Sequence, residues 1–340
     1  MVAGFPACKT AFMKSTIISI AYIFLVILSC SSQVYKKDDA LAHTFSIIAR
    51  DPTTGEMGVG VQSHWFSVGT AVPWAEAGVG VVATQSFVNK SYGIKGLALM
   101  KSGLSAPAAL KKLMDEDEGR ELRQVAMLDS NGHVMSFTGN KCIDYAVSTI
   151  GNNFSVQSNM MFGNNVNSSM ANAYMNSSGK PLAERILIAL QAGQLAGGDI
   201  RGKQSAAILV VAGQSGKTPW DDRLIDLRVD DNSSPLKELD RLLRLYRAYE
   251  HMNKGDLATE KNDIPMAMKE YGEAMKMFPQ NLEMQYWTAI TLANNKKIKE
   301  ASVILHKLYL KDIHWRVLTS RLPKVNLLTV TPAELKLLTK

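Results

Sequence analysis

TFSIIARDPTTGEMGVGVQSHWFSVGTAVPWAEAGVGVVATQSFVNKSYGIKGLALM, residues 44–100, sets the architecture expected for the rest of the chain. Its first eight residues alternate small and apolar side chains, which predicts a strand. DPTTGE (51–56) places Pro and Gly where a tight turn uses them. MGVGVQSHWF (57–66) reads as the returning strand and VGVVATQSFV (79–88) as a third. Such Gly- and Val-rich runs predict buried strands packed closely on their neighbours. The period then changes. IKGLALMKSG and APAALKKLMDEDEG read as two helices, with Ser105 as an N-cap.

Working outward, RQVAMLDSNGHVMSFTG (123–139) predicts a hairpin turning at Asn131-Gly132. A helix is expected over 181–195, started by Pro181 and capped near Gly193. QSAAILVVAG (204–213) and RLIDLRVDD (223–231) read as two more strands. Residues 151–178 carry no charge and are rich in Asn, Ser and Met, which reads as a long polar loop with some helix. Strands, helices, strands, helix, strands is the order of an α+β layered fold with stacked sheets and outer helices. From about 236 the apolar spacing is helical. Gly255, Ala267, Tyr271, Ala274 and Pro279 fall at tetratricopeptide-like spacings, and Ala289 and Ala301 repeat Gly255 and Ala267 34 residues on. An irregular helical bundle is the other reading of this part.

Residues 1–30 read as a targeting segment. Lys9 and Lys14 precede an apolar run, Ile17–Leu28, too short to span a bilayer comfortably. ILSC (27–30) resembles a bacterial lipobox, in which Cys30 is acylated. The other possibilities are a secretory signal cut elsewhere and an uncleaved anchor. Residues 31–43 read as a polar tether. The expectation is an exported cell-envelope protein, held on the membrane through Cys30 and facing the periplasm or the exterior. Of the three cysteines, Cys8 lies within the signal, so Cys142 has no partner for a disulfide and is expected as a small buried apolar residue.

The net charge of +7 is uneven: from position 241 there are 17 Lys and Arg against 10 Asp and Glu. That excess suits an anionic partner or a solvated helical face. No metal or cofactor is expected, because HExxH, CxxC, the phosphate-cradling loop and the dinucleotide fingerprint are all missing from the sequence. GQSGKT (213–218) has the wrong spacing for a phosphate loop. Nucleic-acid binding is not expected, for want of a basic–aromatic motif.

Thr44 opens the first strand, where a Thr acts as nucleophile if its own α-amine is freed to serve as base. That requires the His43–Thr44 bond to be cut, and ALA (40–42) resembles a signal-peptidase site one residue too early. Ser63 and His64 close the second strand near Thr44. His64 reads either as a base with Ser63 as relay or as a backbone-bonded strand-end residue. Ser63 or Ser86 with His64 is a further candidate nucleophile that needs no processing. Thr84, Gln85, Ser86 and Asn89 end an apolar strand, as pocket lining or as turn chemistry.

The run 44–100, with RQVAMLDSNG, VQSNMMFGNNV, LAERILIALQAGQLAGGDIRGKQSAAILVV and DLRVDD, resembles the family called domain of unknown function 1028, over about 44–245. That family is grouped with the N-terminal-nucleophile hydrolases. The resemblance therefore implies a four-layer αββα sandwich over 44–245, followed here by an all-α helical-repeat domain over 246–340. Gln157 and Asn159 match the family pattern and are expected to offer amide groups to a ligand, unless they belong to a polar loop. The implied function is an exported amidohydrolase acting on an unidentified small-molecule or peptide substrate. The alternative is a non-catalytic binding module whose repeats recruit a protein or peptide.

Overall fold

The computed structural model describes Met1 and residues 40–340. Cys8, Cys30, the signal segment and the tether as far as residue 39 lie outside the described residues.

The chain enters as a short strand, β1 (Ala40–Ala42), turns at His43 and continues as β2 (Thr44–Arg50) and β3 (Met57–Ser63). Next come β4 (Pro73–Glu76) and β5 (Gly80–Val88), then helices α1 (Ser91–Lys101) and α2 (Ala106–Asp115). Two hairpins follow, β6 (Arg123–Asp129) with β7 (Val134–Thr138), and β8 (Val147–Gly151) with β9 (Phe154–Ser158). Helices α3 (Asn165–Asn176) and α4 (Leu182–Leu195) lead to β10 (Ser205–Val211) and β11 (Arg223–Val229). All pairings are antiparallel. One sheet runs β11-β10-β3-β2-β9-β8. The other runs β1-β5-β6-β7, with β4 also on β5.

Alternation along the strands sorts their side chains into layers. Phe45, Ile47 and Ala49 of β2 face helices α3 and α4, meeting Met170, Ile186 and Leu190. Ile48, with Val59 and Val61 of β3, faces the second sheet and packs on Val81, Ala83, Ala126 and Leu128. The far side of that sheet presents Val82, Val125 and Met127 to Tyr92, Leu97 and Leu110 of α1 and α2. The fold is thus mixed α+β with two antiparallel sheets.

Several sequence expectations need correction. Residues 40–42, expected in the tether, are strand. β3 stops at Ser63, leaving His64–Phe66 outside it. Residues 151–178 hold a buried strand and a twelve-residue helix, because Phe154 and Val156 alternate into the core and Val166, Met170 and Tyr174 recur at helical spacing. Helix α4 passes through Gly193 and ends at Leu195, with Ala196 as its C-cap before Gly197 and Gly198, which take positive φ. Gly193 serves packing: a Cβ there would lie 2.7 Å from Met170 Cγ. Asp51 caps the 51–56 turn by accepting from Thr53 N and Thr54 N. Ser105 caps α2 as expected.

Helices α5 (Pro235–Glu260), α6 (Ile264–Met277), α7 (Leu282–Asn294), α8 (Ile298–Tyr309), α9 (His314–Arg321) and α10 (Pro332–Leu338) complete the chain. Gly255 of α5 lies under the Tyr271 ring of α6, and an added Cβ would come within 2.4 Å of it. Ala267, Ala274, Ala289 and Ala301 are fully buried at the helix contacts. The boundary expected at 245–246 falls inside α5. Leu236, Leu239 and Leu243 of that helix join the core under the six-stranded sheet, while Ala248, Met252 and Ala258 join the helical core. Arg247 is bidentate to Glu184 of α4, at 2.8 and 3.0 Å, where α5 leaves the sheet.

At Gly60 the backbone of β3 meets α4 so closely that a Cβ would lie 2.2 Å from Ile186 Cγ2 and 3.1 Å from Leu190 Cδ1. Gly60→Ala is expected to destabilise the protein by about 1–3 kcal/mol through overpacking. A lower urea midpoint at unchanged slope checks this.

Candidate functional site

The layer between the sheets is apolar in its middle and polar at one end. There the strand pattern continues, but Thr44, Ser63, Gln85, Gln124, Gln157 and Asn159 replace Val and Ile, and all six are fully buried. Thr44 pairs with Ser63 across β2 and β3. The chain crosses from one sheet to the other at His43, since β1 pairs with β5 while β2 pairs with β3 and β9.

The His43 carbonyl accepts two short hydrogen bonds at this crossing. Ser63 Oγ donates to it at 2.6 Å and Arg201 Nη2 at 2.7 Å. The Arg201 guanidinium is aimed by Asp199, whose buried carboxylate accepts from Arg201 Nε at 3.0 Å and from Nη2 at 2.7 Å. Such a two-point ion pair fixes the plane of the guanidinium as well as its position. Thr44 Oγ1 donates to the Ala42 carbonyl at 2.8 Å. The Thr44 carbonyl accepts from Asn159 N at 3.1 Å, from Asn159 Nδ2 at 3.4 Å and from Gln85 Nε2 at 3.2 Å. Gln124 Oε1 accepts from both Gln85 and Asn159, tying the two sheets together.

His43 is buried with Nδ1 2.8 Å from Asn159 Oδ1 and its ring edge-on to Phe87. Its Nε2 has no partner. Burial holds its pKa below the ordinary 6.5; the Asn159 bond opposes this, Arg201 adds to it, and Asp199 opposes it. The buried imidazole is therefore neutral at pH 7. Gln85 Oε1 is likewise buried without a partner, and Ser86, whose hydroxyl lies against the Cys142 thiol, holds a left-handed φ of 70°.

The expected site residues separate into two groups. Thr44, Ser63, Gln85 and Asn159 converge on the His43–Thr44 peptide. Ser86 stands beside them on β5, opposite Ala42. The others lie elsewhere. The His64 side chain is exposed, its backbone N–H donates to Asp199, and Ser63 Oγ is committed to the His43 carbonyl. Thr84 Oγ1 donates to Asn89 O, and Asn89 Oδ1 accepts from Ser91 N at the start of α1, so both serve the turn. Gln157 is spent within the sheet, accepting from Ser46 Oγ and donating to Ser155 Oγ. Cys142 is half-buried, its Sγ donates to Arg123 O, and burial pushes its thiol pKa up.

Arg201, Asp199 and Gln124 were not singled out from the sequence. A charged pair in GGDIRGKQ, flanked by glycines between a helix and a buried strand, was the available signal for the first two. A cavity of about 790 Å³ includes Thr138 and Val147, both accepting from Gln124, which makes it a neighbour of the Thr44 network. A larger cavity of about 1130 Å³, lined by Glu76, Asp129, His133 and Arg223, lies at the opposite strand ends. Among the described residues no group of three or more His, Cys, Asp or Glu is placed to hold a metal, and no helix is long and apolar enough to cross a membrane.

Residues 44–239 match the model of a family of unknown function, DUF1028. The chain belongs to that family. Among solved structures it is similar to the protein SPO2555 from Silicibacter pomeroyi, itself assigned to DUF1028. The two are 29% identical, with a TM-score of 0.53, over 59% of this chain and 88% of that one. No curated protein matches the chain.

The neutral buried state of His43 has a pH signature. Its folded pKa lies below the unfolded 6.5, so the unfolded chain binds more protons on acidification. The stability it contributes is complete above 6.5 and is lost as pH falls from there toward the folded value. In chain that still carries the residues before Thr44, the urea midpoint is expected to drop between pH 7.5 and 5. The drop should be smaller in His43→Gln, and parallel curves would show that the imidazole is not held neutral.

Proposed function

We propose that the protein is an amide hydrolase whose nucleophile is Thr44, activated when the His43–Thr44 bond is cut. The observation that carries this is the pair of donors, Ser63 Oγ and Arg201 Nη2, on the carbonyl oxygen of the one bond whose breakage frees the Thr44 amine. Donors held in advance where negative charge develops are the usual largest contribution to acyl-transfer catalysis. The Thr44 hydroxyl turns from Ala42 O and its Oγ adds to the His43 carbonyl carbon. The oxyanion rests on Ser63 and Arg201, the C–N bond breaks, and the hydroxyl proton ends on the freed nitrogen. Water then hydrolyses the ester, releasing the His43 carboxyl and restoring the hydroxyl.

The new α-amine, with an ordinary pKa of about 7.7–8.0, is partly neutral at working pH and takes the Thr44 proton in later turnovers. The same donors receive the carbonyl of an incoming amide. Asn159 and Gln85, which grip the Thr44 carbonyl, keep the nucleophile in register.

This reading carries with it the αββα sandwich of the N-terminal-nucleophile hydrolases, supported by helices packed on the outer faces of two stacked sheets. It also carries export and a lipid anchor at Cys30, supported by the signal-like sequence. Tetratricopeptide-like packing of the helical region is supported by Gly255, Ala267, Ala289 and Ala301, and such hairpins suit a protein or peptide partner. The rival reading is a binding module without catalysis. Its support is that the Thr44 side chain is fully buried and its hydroxyl is engaged by the Ala42 carbonyl.

Intact-mass measurement and N-terminal sequencing of the purified full-length chain decide between them. A fragment beginning at Thr44 is expected, and Thr44→Ala should abolish it. Ser63→Ala and Arg201→Met should each slow its appearance by about 10²–10³-fold, the usual cost of one oxyanion donor. A chain that stays whole through this junction after export leaves the binding module as the reading.

A further inference from the structure

The geometry points to the groove now filled by Ala40–His43 as the binding site for the acyl side of substrate, and so to an extended peptide with a small residue before the reacting one. This rests on Thr44 being the nucleophile. One hydroxyl and one pair of oxyanion donors serve both the first cut and every later one, so both acyl groups must lie along the same path. The segment before Thr44 is then a bound substrate seen in place.

That path is a strand. Ala40, Leu41 and Ala42 pair antiparallel with Val88, Phe87 and Ser86 of β5. On this edge of β5, β4 pairs only with Gly80–Ala83, and β1 takes the stretch beyond. Once the leader departs, the edge of β5 that Ala42 and Ala40 cover at Ser86 and Val88 is exposed, and an extended peptide is the ligand that satisfies such an edge. A compact small-molecule amide has no use for it.

Side-chain size follows from the packing. Ala42 is fully buried within the inter-sheet core, so the residue before the reacting one has room for little more than a methyl group. The reacting residue takes the His43 slot, between Asn159 and Phe87. One unpartnered buried group, Gln85 Oε1, sits on β5 at this end of the strand pair. Unsatisfied polar atoms of this kind are costly unless something pairs with them in the working state.

The probe is acetyl-Ala-Leu-Ala-His aminomethylcoumarin amide, offered to full-length protein after it has processed itself. Release of the coumarin should be at least tenfold faster, in kcat/KM, than from acetyl-His aminomethylcoumarin amide. In an antiparallel pair only alternate residues direct their N–H at the neighbour. N-methylation of the Leu and of the second Ala, one at a time, should therefore cost about three- to tenfold at one position and little at the other, the size of one hydrogen bond. Trp in place of the second Ala should stop cleavage. Equal rates for the single residue and the tetrapeptide, or no alternation on methylation, overturn the strand groove while leaving Thr44 as nucleophile. A chain that neither cuts itself nor cleaves any amide removes the nucleophile, and this inference with it.

Discussion

The polar end of the fold is organised by one peptide, His43–Thr44, whose first carbonyl oxygen is held between a serine hydroxyl and an arginine. Neither donor is free to wander. Ser63 is the last residue of β3 and lies opposite Thr44 by strand register. Arg201 sits in an irregular loop, but Asp199 clamps it at two points, and the same carboxylate receives the backbone N–H groups of His64 and Arg201. The loop is positioned by charge where strand register cannot reach. Because Asp199 is almost wholly buried, losing its partner would leave an uncompensated charge, which makes the pair rigid by necessity.

Placing so many amides between two sheets has a cost that apolar residues would avoid. The fold keeps it down by making the amides satisfy one another. Gln124 receives from Gln85 and Asn159 and donates to Thr138, Val147 and Ser158, so one side chain binds strands of both sheets. His43 Nε2 and Gln85 Oε1 remain unsatisfied beside the path by which the chain changes sheets, as do both amide atoms of Gln62, the neighbour of Ser63 on β3. Buried networks that are nearly but not fully satisfied are a usual mark of sites that receive something.

Much of this architecture was legible in the sequence. The β2–β3 hairpin, the β6–β7 hairpin and the β10–β11 pair follow from alternation and turn residues, and that alternation already sets Thr44 beside Ser63. Asn159 and Gln85 were reachable through the family pattern and through polar groups closing an apolar strand. The rest depends on information the local pattern does not hold. ALA at 40–42 is too short to signal a strand, and it pairs only because β5 offers an edge far along the chain. Arg201 reaches His43 across 158 residues, by a loop with no period. Strand β3 ends one residue before His64, which turns that imidazole outward, a boundary the local pattern does not mark. β9 and α3 were hidden by an Asn- and Ser-rich composition that carried the right apolar spacing.

Helix α5 has a further implication. It is one continuous cylinder of 26 residues that shows Leu236, Leu239 and Leu243 to the sheet side and Ala248, Met252 and Ala258 to the helical side. Those two stripes stand at a set angular phase about a common axis. One residue added or removed between them would turn the second stripe by about 100° relative to the first. The distance between the sheets and the helical hairpins can therefore change over evolution only in near-whole turns, as a screw advances by its pitch.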